Sequence, residues 1–534
     1  MNGRLTALAA LLAPVLAASG AMAQDRLATD IAAQVALAPG DTRSFVVEAP
    51  AGAYLEGALS VDGAPVDLVL RTMQGDHLRL LESGARGDQT FRFVANGDPL
   101  LLSIENVNAQ ALATLRLTHD IPPEEQGGIS LDLQSPRLRT LVQDMAQGAG
   151  TAAFWAEMLA HGTPLVEPVP EKPDRRLVTF LYRGAKRNVR LWGGPSNDHD
   201  WLDRLGDSDV WFRTYDVPSG LRLTYGLAPD VPQIPGTFLQ RRRALLATAQ
   251  ADPLNLTPLP ADAPDAFNQV SYLALEDAPD QPGYPPADRI AGTVDTFTFD
   301  SPRLGNSRSV SAYRPAGFDP TDPANVLLFV FDGVAFQDDR APMPGILDTL
   351  IGQGRLPPVT AVFIDSVDVD LRSRELTCNP DFAAMLADDL LPEILARTGL
   401  PHDPARTAVT GASYGGLAAA CAAHWHPDAF GAFLSLSGSF WWQPDAYDGD
   451  MPYVSSLFAQ GSARPLRAWL SAGIYEAGKG GDTGILGGTR HLRDVMRLKG
   501  YDDVFYREYA GGHDYAIWRG SMAEGLIALY GTGP

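Results

Sequence analysis

One five-residue stretch constrains this chain more than any other: Gly411-Ala412-Ser413-Tyr414-Gly415. It follows an apolar run, Ala408-Val409-Thr410, and precedes an alanine-rich one, Leu417 to Ala423. The first reads as a buried strand and the second as a helix. A backbone that passes from strand to helix in so few residues must turn sharply. Gly411 and Gly415 suit such a turn, because a side chain at either would collide with neighbouring backbone. Ser413 then stands at the apex with a helix N-terminus behind it. This is the strand–turn–helix setting of a G-x-S-x-G nucleophile, and the Tyr414 backbone N–H is the candidate oxyanion donor.

A serine hydroxyl is a weak nucleophile and needs an adjacent base. In folds of this kind the base follows the serine in the chain, with an acid between them. His513 lies in Ala510-Gly511-Gly512-His513-Asp514, after a strand-like Val504 to Tyr509 and before a terminal helical stretch. That places it at the end of the last strand, where it can reach over the sheet. His424, His426 and His491 fall on helical stretches and read as packing or surface groups. Glu476, just past the strand-like Arg467 to Leu470, is the candidate acid that orients the imidazole, with Asp482 and Asp502 as fallbacks. The second oxyanion donor is expected at the Val334 amide, after the apolar run Val326 to Phe331 and the turn-permitting Gly333.

From about residue 291 onward, apolar strands alternate with helical patterns, which implies a mostly parallel sheet flanked by helices. Two β-rich regions precede it. Residues 24–120 carry short alternating runs broken by Pro39-Gly40-Asp41 and Asn96-Gly97-Asp98, and read as a small β-sandwich. Residues 137–290 open with helical periodicity and continue as strand-like segments from Leu177 to Tyr225. The fold class is therefore α/β: a C-terminal α/β-hydrolase domain over 291–534 preceded by two β-rich, sandwich-like domains.

Residues 1–23 read as a cleavable signal peptide, with Arg4, an apolar stretch from Leu5 to Ala18, and Ala21-Met22-Ala23 as the cleavage site. Nothing later reads as a membrane span, so a periplasmic or secreted protein is expected. The formal charge of -22 argues against nucleic acid as a partner. Cys378 and Cys421 do not make a disulfide framework; Cys421 falls on a buried helical stretch, and two free thiols are the expectation. No histidine, cysteine and carboxylate cluster has a metal-ligand spacing, and no cofactor is expected.

Several segments resemble the enterochelin esterases, which act on catecholate siderophores. They are Val330-Phe331-Asp332-Gly333, Arg372-Ser373-Arg374-Glu375-Leu376-Thr377-Cys378-Asn379-Pro380-Asp381-Phe382, the Gly411 to Gly416 turn, Leu436-Ser437-Gly438-Ser439-Phe440-Trp441-Trp442, and Gly511-Gly512-His513-Asp514 with Trp518-Arg519-Gly520. Upstream, Ala251 to Leu256 and Ser301 to Arg308 resemble the family as well, so 137–290 is similar to its N-terminal β domain, which caps the active site. The resemblance implies a serine esterase acting on a ferric catecholate trilactone or its linear fragments, with iron arriving only as part of the substrate. A bulky anion of that kind calls for cationic and aromatic groups. Arg372 is the candidate by motif position, Arg242 by its place in a basic run, and Trp441 and Trp442 as surfaces for catechol rings. A feruloyl or acetyl esterase of carbohydrate, and a siderophore-binding protein without catalysis, are the alternative readings. The family's cytoplasmic enzyme carries no export signal, and residues 24–120 have no counterpart in it.

Overall fold

The computed structural model describes residues 25–106, 109–122, 133–196, 199–287, 289–478 and 483–532. The signal-like segment and Asp482 lie outside the described residues. The chain divides into two compact units, 1–132 and 133–534.

In the first unit, six strands are hydrogen-bonded into one antiparallel sheet: β1 (Ala33–Leu37), β2 (Thr42–Val47), β3 (Tyr54–Thr72), β4 (His77–Val94), β5 (Leu100–Asn106) and β6 (Ala111–Ile121). The strand β3 pairs with β4 along its length, with β6 through its first half and with β5 through its second. Irregular pairing between Val61 and Val66 marks the switch, as expected where a bulge bends a strand. One long bent strand thus joins what the sequence suggested as separate sheets. Leu55, Leu59, Leu68, Phe91, Leu102 and Leu115 fill its core.

The second unit begins with α1 (Pro136–Ala146) and α2 (Ala152–His161). Two four-stranded antiparallel sheets follow. One is built from β7 (Leu165–Val169), β8 (Lys172–Arg183), β10 (Asp203–Arg204) and β11 (Val210–Pro218). The other is built from β9 (Val189–Gly193), β12 (Arg222–Pro229), β13 (Pro258–Leu259) and β14 (Val270–Ala274). They bury a shared core in which Phe180 of β8 meets Tyr225 of β12 edge-on at 4.8 Å. The helix α3 (Phe238–Leu246) lies between β12 and β13 in the chain and is closed by a capping box of Thr237 and Gln240.

The remaining strands form an eight-stranded sheet in the order β15-β16-β18-β17-β19-β20-β21-β22. They are β15 (Thr293–Ser301), β16 (Asn306–Arg314), β17 (Val326–Phe331), β18 (Val359–Ile364), β19 (Thr407–Ala412), β20 (Ala432–Leu436), β21 (Arg467–Gly473) and β22 (Val504–Tyr509). All pairs from β18 to β22 are parallel, and β15 and β16 form an antiparallel edge. The helices are α4 (Met343–Gly352), α5 (Val369–Glu375), α6 (Pro380–Ala384), α7 (Leu391–Thr398), α8 (Tyr414–Trp425), α9 (Tyr453–Ala459), α10 (Gly484–Lys499) and α11 (Tyr515–Tyr530). Every residue of β17 is buried because both faces of the sheet are covered. Leu327, Phe329 and Phe331 point to the core under α6 and α8. Val326, Leu328 and Val330, alternating with them, point to the core under α4 and α11.

The cysteines correct the sequence expectation. Cys378 and Cys421 form a disulfide that closes a separation of 43 residues, with Cα atoms 5.5 Å apart. It ties the segment following α5 to the middle of α8. Cross-linking a loop of this length stabilises a fold by about 4 kcal/mol through the unfolded chain. Cys378→Ala with Cys421→Ala should therefore lower the denaturant midpoint clearly and raise the m-value, because the unfolded chain without the cross-link exposes more surface, while the fold is kept. Equal midpoints for the oxidised protein and the double variant would show that the bond does not form.

Candidate active site

The turn after β19 is built as tightly as its residues suggest. Ser413 sits at φ 60°, ψ -120°, a strained backbone for a non-glycine residue. Its amide donates to Leu436 O of β20 at 2.9 Å, and its carbonyl accepts from the amides of Leu417 and Ser439, each at 3.1 Å. These bonds from three directions hold the strain in place. A Cβ at Gly411 would lie 2.8 Å from the Gly415 backbone, so glycine is required there. At Gly415 a Cβ would meet only ordinary contacts, the nearest at 3.5 Å. The second tight position is instead Gly416, whose Cβ would fall 2.7 Å from Ser435 Oγ and 3.1 Å from Gly438 Cα. Tyr414, first in α8, has an amide with no acceptor inside the helix, and it faces the same end as the Ser413 side chain.

Ser413 and His513 line the same two cavities, of about 370 and 330 Å³. Ser413 Oγ lies 3.3 Å from Ser439 Oγ. His513 Nδ1 is 2.6 Å from Glu476 Oε1. Glu476 is 4% exposed, and its other oxygen accepts from Ser437 Oγ at 2.7 Å and from the Gly473 amide at 2.6 Å. Trp518 Nε1 in turn donates to Ser437 Oγ at 2.9 Å, and the Trp518 ring stands perpendicular to the His513 ring at 4.7 Å. A fully accepted carboxylate therefore holds one imidazole nitrogen and leaves the other facing the cavity. Sequence reasoning did not assign Ser437 or Trp518, although both lie in stretches that carry the family resemblance.

Of the two fallback acids, only Asp502 is among the described residues, and it falls elsewhere. Asp502 is exposed, ahead of β22 and at the opposite end of that strand from His513. Asp514 Oδ1 caps α11 through the Ala516 amide, and Oδ2 accepts from Thr224 Oγ1 at 2.9 Å and from the Thr224 amide, which binds the β domain to the loop carrying His513. His491 is tied to Ser455 at 2.8 Å. Burial pushes the pKa of His424 down to about 4, and its ring packs on Phe458, so it is a neutral packing group.

Two expectations require correction. The Val334 amide already donates to Asp365 Oδ1 at 2.8 Å, so it is not an open oxyanion donor in this arrangement. Trp442 does not line the cavities; it packs edge-on against Tyr453 at 6.0 Å, on the core beneath α8 and α9. Trp441 does line the cavity of Ser413 and His513, and it is 47% exposed. Arg372 lines the second shared cavity, but Asp332 pairs with it through two bonds of 2.7 Å. Arg242 lines an adjoining cavity of about 390 Å³ with His513, Tyr475 and Trp192. Trp192, on β9, borders three of these spaces, including one of about 440 Å³ beside Asp338 and Arg340. It was missed because a lone tryptophan in a strand reads as core. Among the described residues, no group of histidine, cysteine and carboxylate side chains could hold a metal ion, and no helix is long and apolar enough to cross a membrane.

Ser437→Ala should lower kcat about ten- to a hundredfold with KM little changed, because it removes a hydrogen bond to a buried carboxylate that matters when the imidazole is charged. Steady-state kinetics of the variant, with Ser437→Cys as partial rescue because it keeps a weak donor without a branched Cβ at the positive φ of 50°, checks this. A rise in KM at constant kcat would assign Ser437 to substrate binding instead.

Two family models and several known proteins match this chain. A family model described as putative esterase matches residues 301–529, and one for the N-terminal part of enterochelin esterase matches 177–284. An iron(III) enterobactin esterase of Dickeya dadantii is 31% identical over 415 residues, 71% of this chain and 92% of the relative. An iron(III) salmochelin esterase of Escherichia coli is 29% identical over 74% of this chain and 98% of the relative. The crystal structure of the enterobactin esterase of Shigella flexneri in the presence of enterobactin superposes with a TM-score of 0.57 at 30% identity, over 72% of this chain and 98% of that one.

Proposed function

The chain belongs to the enterochelin esterase family, and from that premise we propose that it is an exported serine esterase which opens the ester bonds of ferric catecholate siderophores. The observation that carries this reading is the Glu476–His513 pair at 2.6 Å beside Ser413, under a β domain of the family's type. As Ser413 attacks the ester carbonyl, His513 takes the hydroxyl proton and then returns it to the departing alcohol. Glu476 holds the imidazole orientation and offsets its positive charge. The Tyr414 amide and the N-terminus of α8 stabilise the oxyanion. Val334 contributes only by exchanging Asp365 for that oxyanion. Water, activated by His513, attacks the acyl-enzyme and releases the acid, regenerating Ser413.

Export rests on the signal-like N-terminus and is supported by the Cys378–Cys421 bond, since such bonds persist in oxidising compartments. Arg242 and Trp441 are positioned to meet an anionic aromatic substrate, and Arg372 does so as part of its pair with Asp332. The test is product analysis: incubation with ferric enterobactin, with methyl ferulate in parallel, read by mass spectrometry. Linear catecholate fragments from the first and none from the second support the proposal. Faster turnover of methyl ferulate would assign the protein to carbohydrate esters. Tight binding of the ferric complex without product would make it a binding protein.

A further inference from the structure

The loop that follows β20 carries two serines, two residues apart, and each reaches a different member of the catalytic set. Ser437 Oγ donates to Glu476 at 2.7 Å. Ser439 Oγ lies 3.3 Å from Ser413 Oγ and, among the described residues, is the one hydrogen-bond partner of the nucleophile's hydroxyl. The loop itself is fixed. The Ser437 amide donates to Ser471 O at 2.8 Å, the Ser439 amide to Ser413 O at 3.1 Å, and the Trp442 amide to Ser439 O at 2.9 Å. Ser439 borders the cavity of about 370 Å³, yet it is only 1% exposed. Its hydroxyl is therefore placed to act on the Ser413 oxygen and not on a bulky ligand.

Either hydroxyl of the pair can donate, and the rest of the site decides which one does so in the reaction. Glu476 accepts at His513 Nδ1, so the imidazole proton sits there and Nε2 is left as an acceptor. Ser413 gives its proton to Nε2, and Ser439 is then the donor to Ser413 Oγ. A separation of 3.3 Å is long for such a bond, and catalytic bonds of this kind often tighten only once substrate is in place. We infer that Ser439 is a further catalytic residue: its hydroxyl holds the Ser413 hydroxyl toward His513 during acylation and stabilises Ser413 Oγ as the leaving group during deacylation. In the first half, the bond from Ser413 Oγ to the carbonyl carbon forms and the ester C–O bond breaks. The Ser413 proton passes through His513 to the departing alcohol. In the second half, the bond from a water oxygen to that carbon forms and the bond to Oγ breaks. A water proton passes through His513 to Oγ, and the Ser439 proton stays on Ser439 throughout. Oγ gains negative charge as it departs, so a donor beside it counts for more in the second half than in the first. The inference rests on the esterase reading of the same site.

The probe is 4-nitrophenyl butyrate, whose activated leaving group makes acylation fast and exposes deacylation. Ser439→Ala should lower kcat about ten- to a hundredfold, the effect of losing a hydrogen bond to a developing charge. It should lower kcat/KM, which reports acylation, by no more than about fivefold. KM therefore falls with kcat, and intact-protein mass at steady state should show more acyl-enzyme than in the wild type. A merely structural role moves these readouts the other way. A displaced Ser413 slows acylation, so kcat/KM falls at least as far as kcat and less acyl-enzyme accumulates. Ser439→Cys keeps a weak donor and should show the same split to a smaller extent, which carries the test if Ser439→Ala does not fold. An unchanged or raised kcat in the folded variants, or a kcat/KM that falls as far as kcat, overturns the inference. A wild-type protein that hydrolyses neither this ester nor ferric enterobactin ends the esterase reading, and the inference with it.

Discussion

Replacing Ser413 with alanine is expected to lower kcat for ester hydrolysis by roughly 10⁵- to 10⁶-fold, the loss typical when a nucleophile that works as a unit with its base is removed. The residual rate would come from binding and from the Tyr414 amide. His513→Ala should cost about as much, and the double variant little more, because neither group accelerates the reaction without the other. The substrate still binds: the side chains lining the cavities around Trp192, Arg242 and Trp441 are untouched by the change. The measurements are steady-state rates and intact-protein mass after brief exposure to a slow ester, where an added acyl group mapping to Ser413 identifies the covalent intermediate. Retention of more than about one per cent of the activity in Ser413→Ala would end the covalent mechanism.

Glu476→Gln is expected to reduce kcat by roughly 10³- to 10⁴-fold, although only one atom differs. Every hydrogen bond at this side chain is accepted: Oε1 from His513 Nδ1, and Oε2 from Ser437 and the Gly473 amide. An amide has one accepting oxygen and a donor group in place of the other. If the NH₂ faces His513, the imidazole must present an acceptor at Nδ1, so its proton moves to Nε2 and it cannot accept from Ser413. If the NH₂ faces Gly473, two donors meet in a buried space. Either way, the charge that offsets the imidazolium is lost. Glu476→Asp keeps the charge and withdraws the oxygens by one methylene, so it should fall between the two. Activity of Glu476→Gln within tenfold of the wild type would exclude Glu476 as the orienting acid, since its partners leave it no neutral role of that size.

The strand–turn–helix around Ser413 was legible because its signals are local: an apolar run, glycine, and an alanine-rich run within one short stretch. Glu476 and His513 were legible through chain order and their places just past strands. Gly415 was overrated and Gly416 missed for one reason: what a Cβ would touch depends on Ser435 and Gly438, in another loop. Trp442 follows Trp441, and no periodicity says which ring turns to the cavity and which to Tyr453.

By itself the amino-acid order determined the alternation of buried strands and helices, the two β-rich regions ahead of them, and the residues able to supply a hydroxyl, a base and an acid. Tertiary structure alone decided that Cys378 meets Cys421, that Asp365 occupies the Val334 amide, and that Ser437, itself held by Trp518, bonds Glu476. The division has a physical cause. Strand, turn and helix propensity are set by neighbours along the chain, whereas the partner of a thiol, an amide or a charge is set by whichever group the packed fold brings within about 3 Å, however distant in sequence.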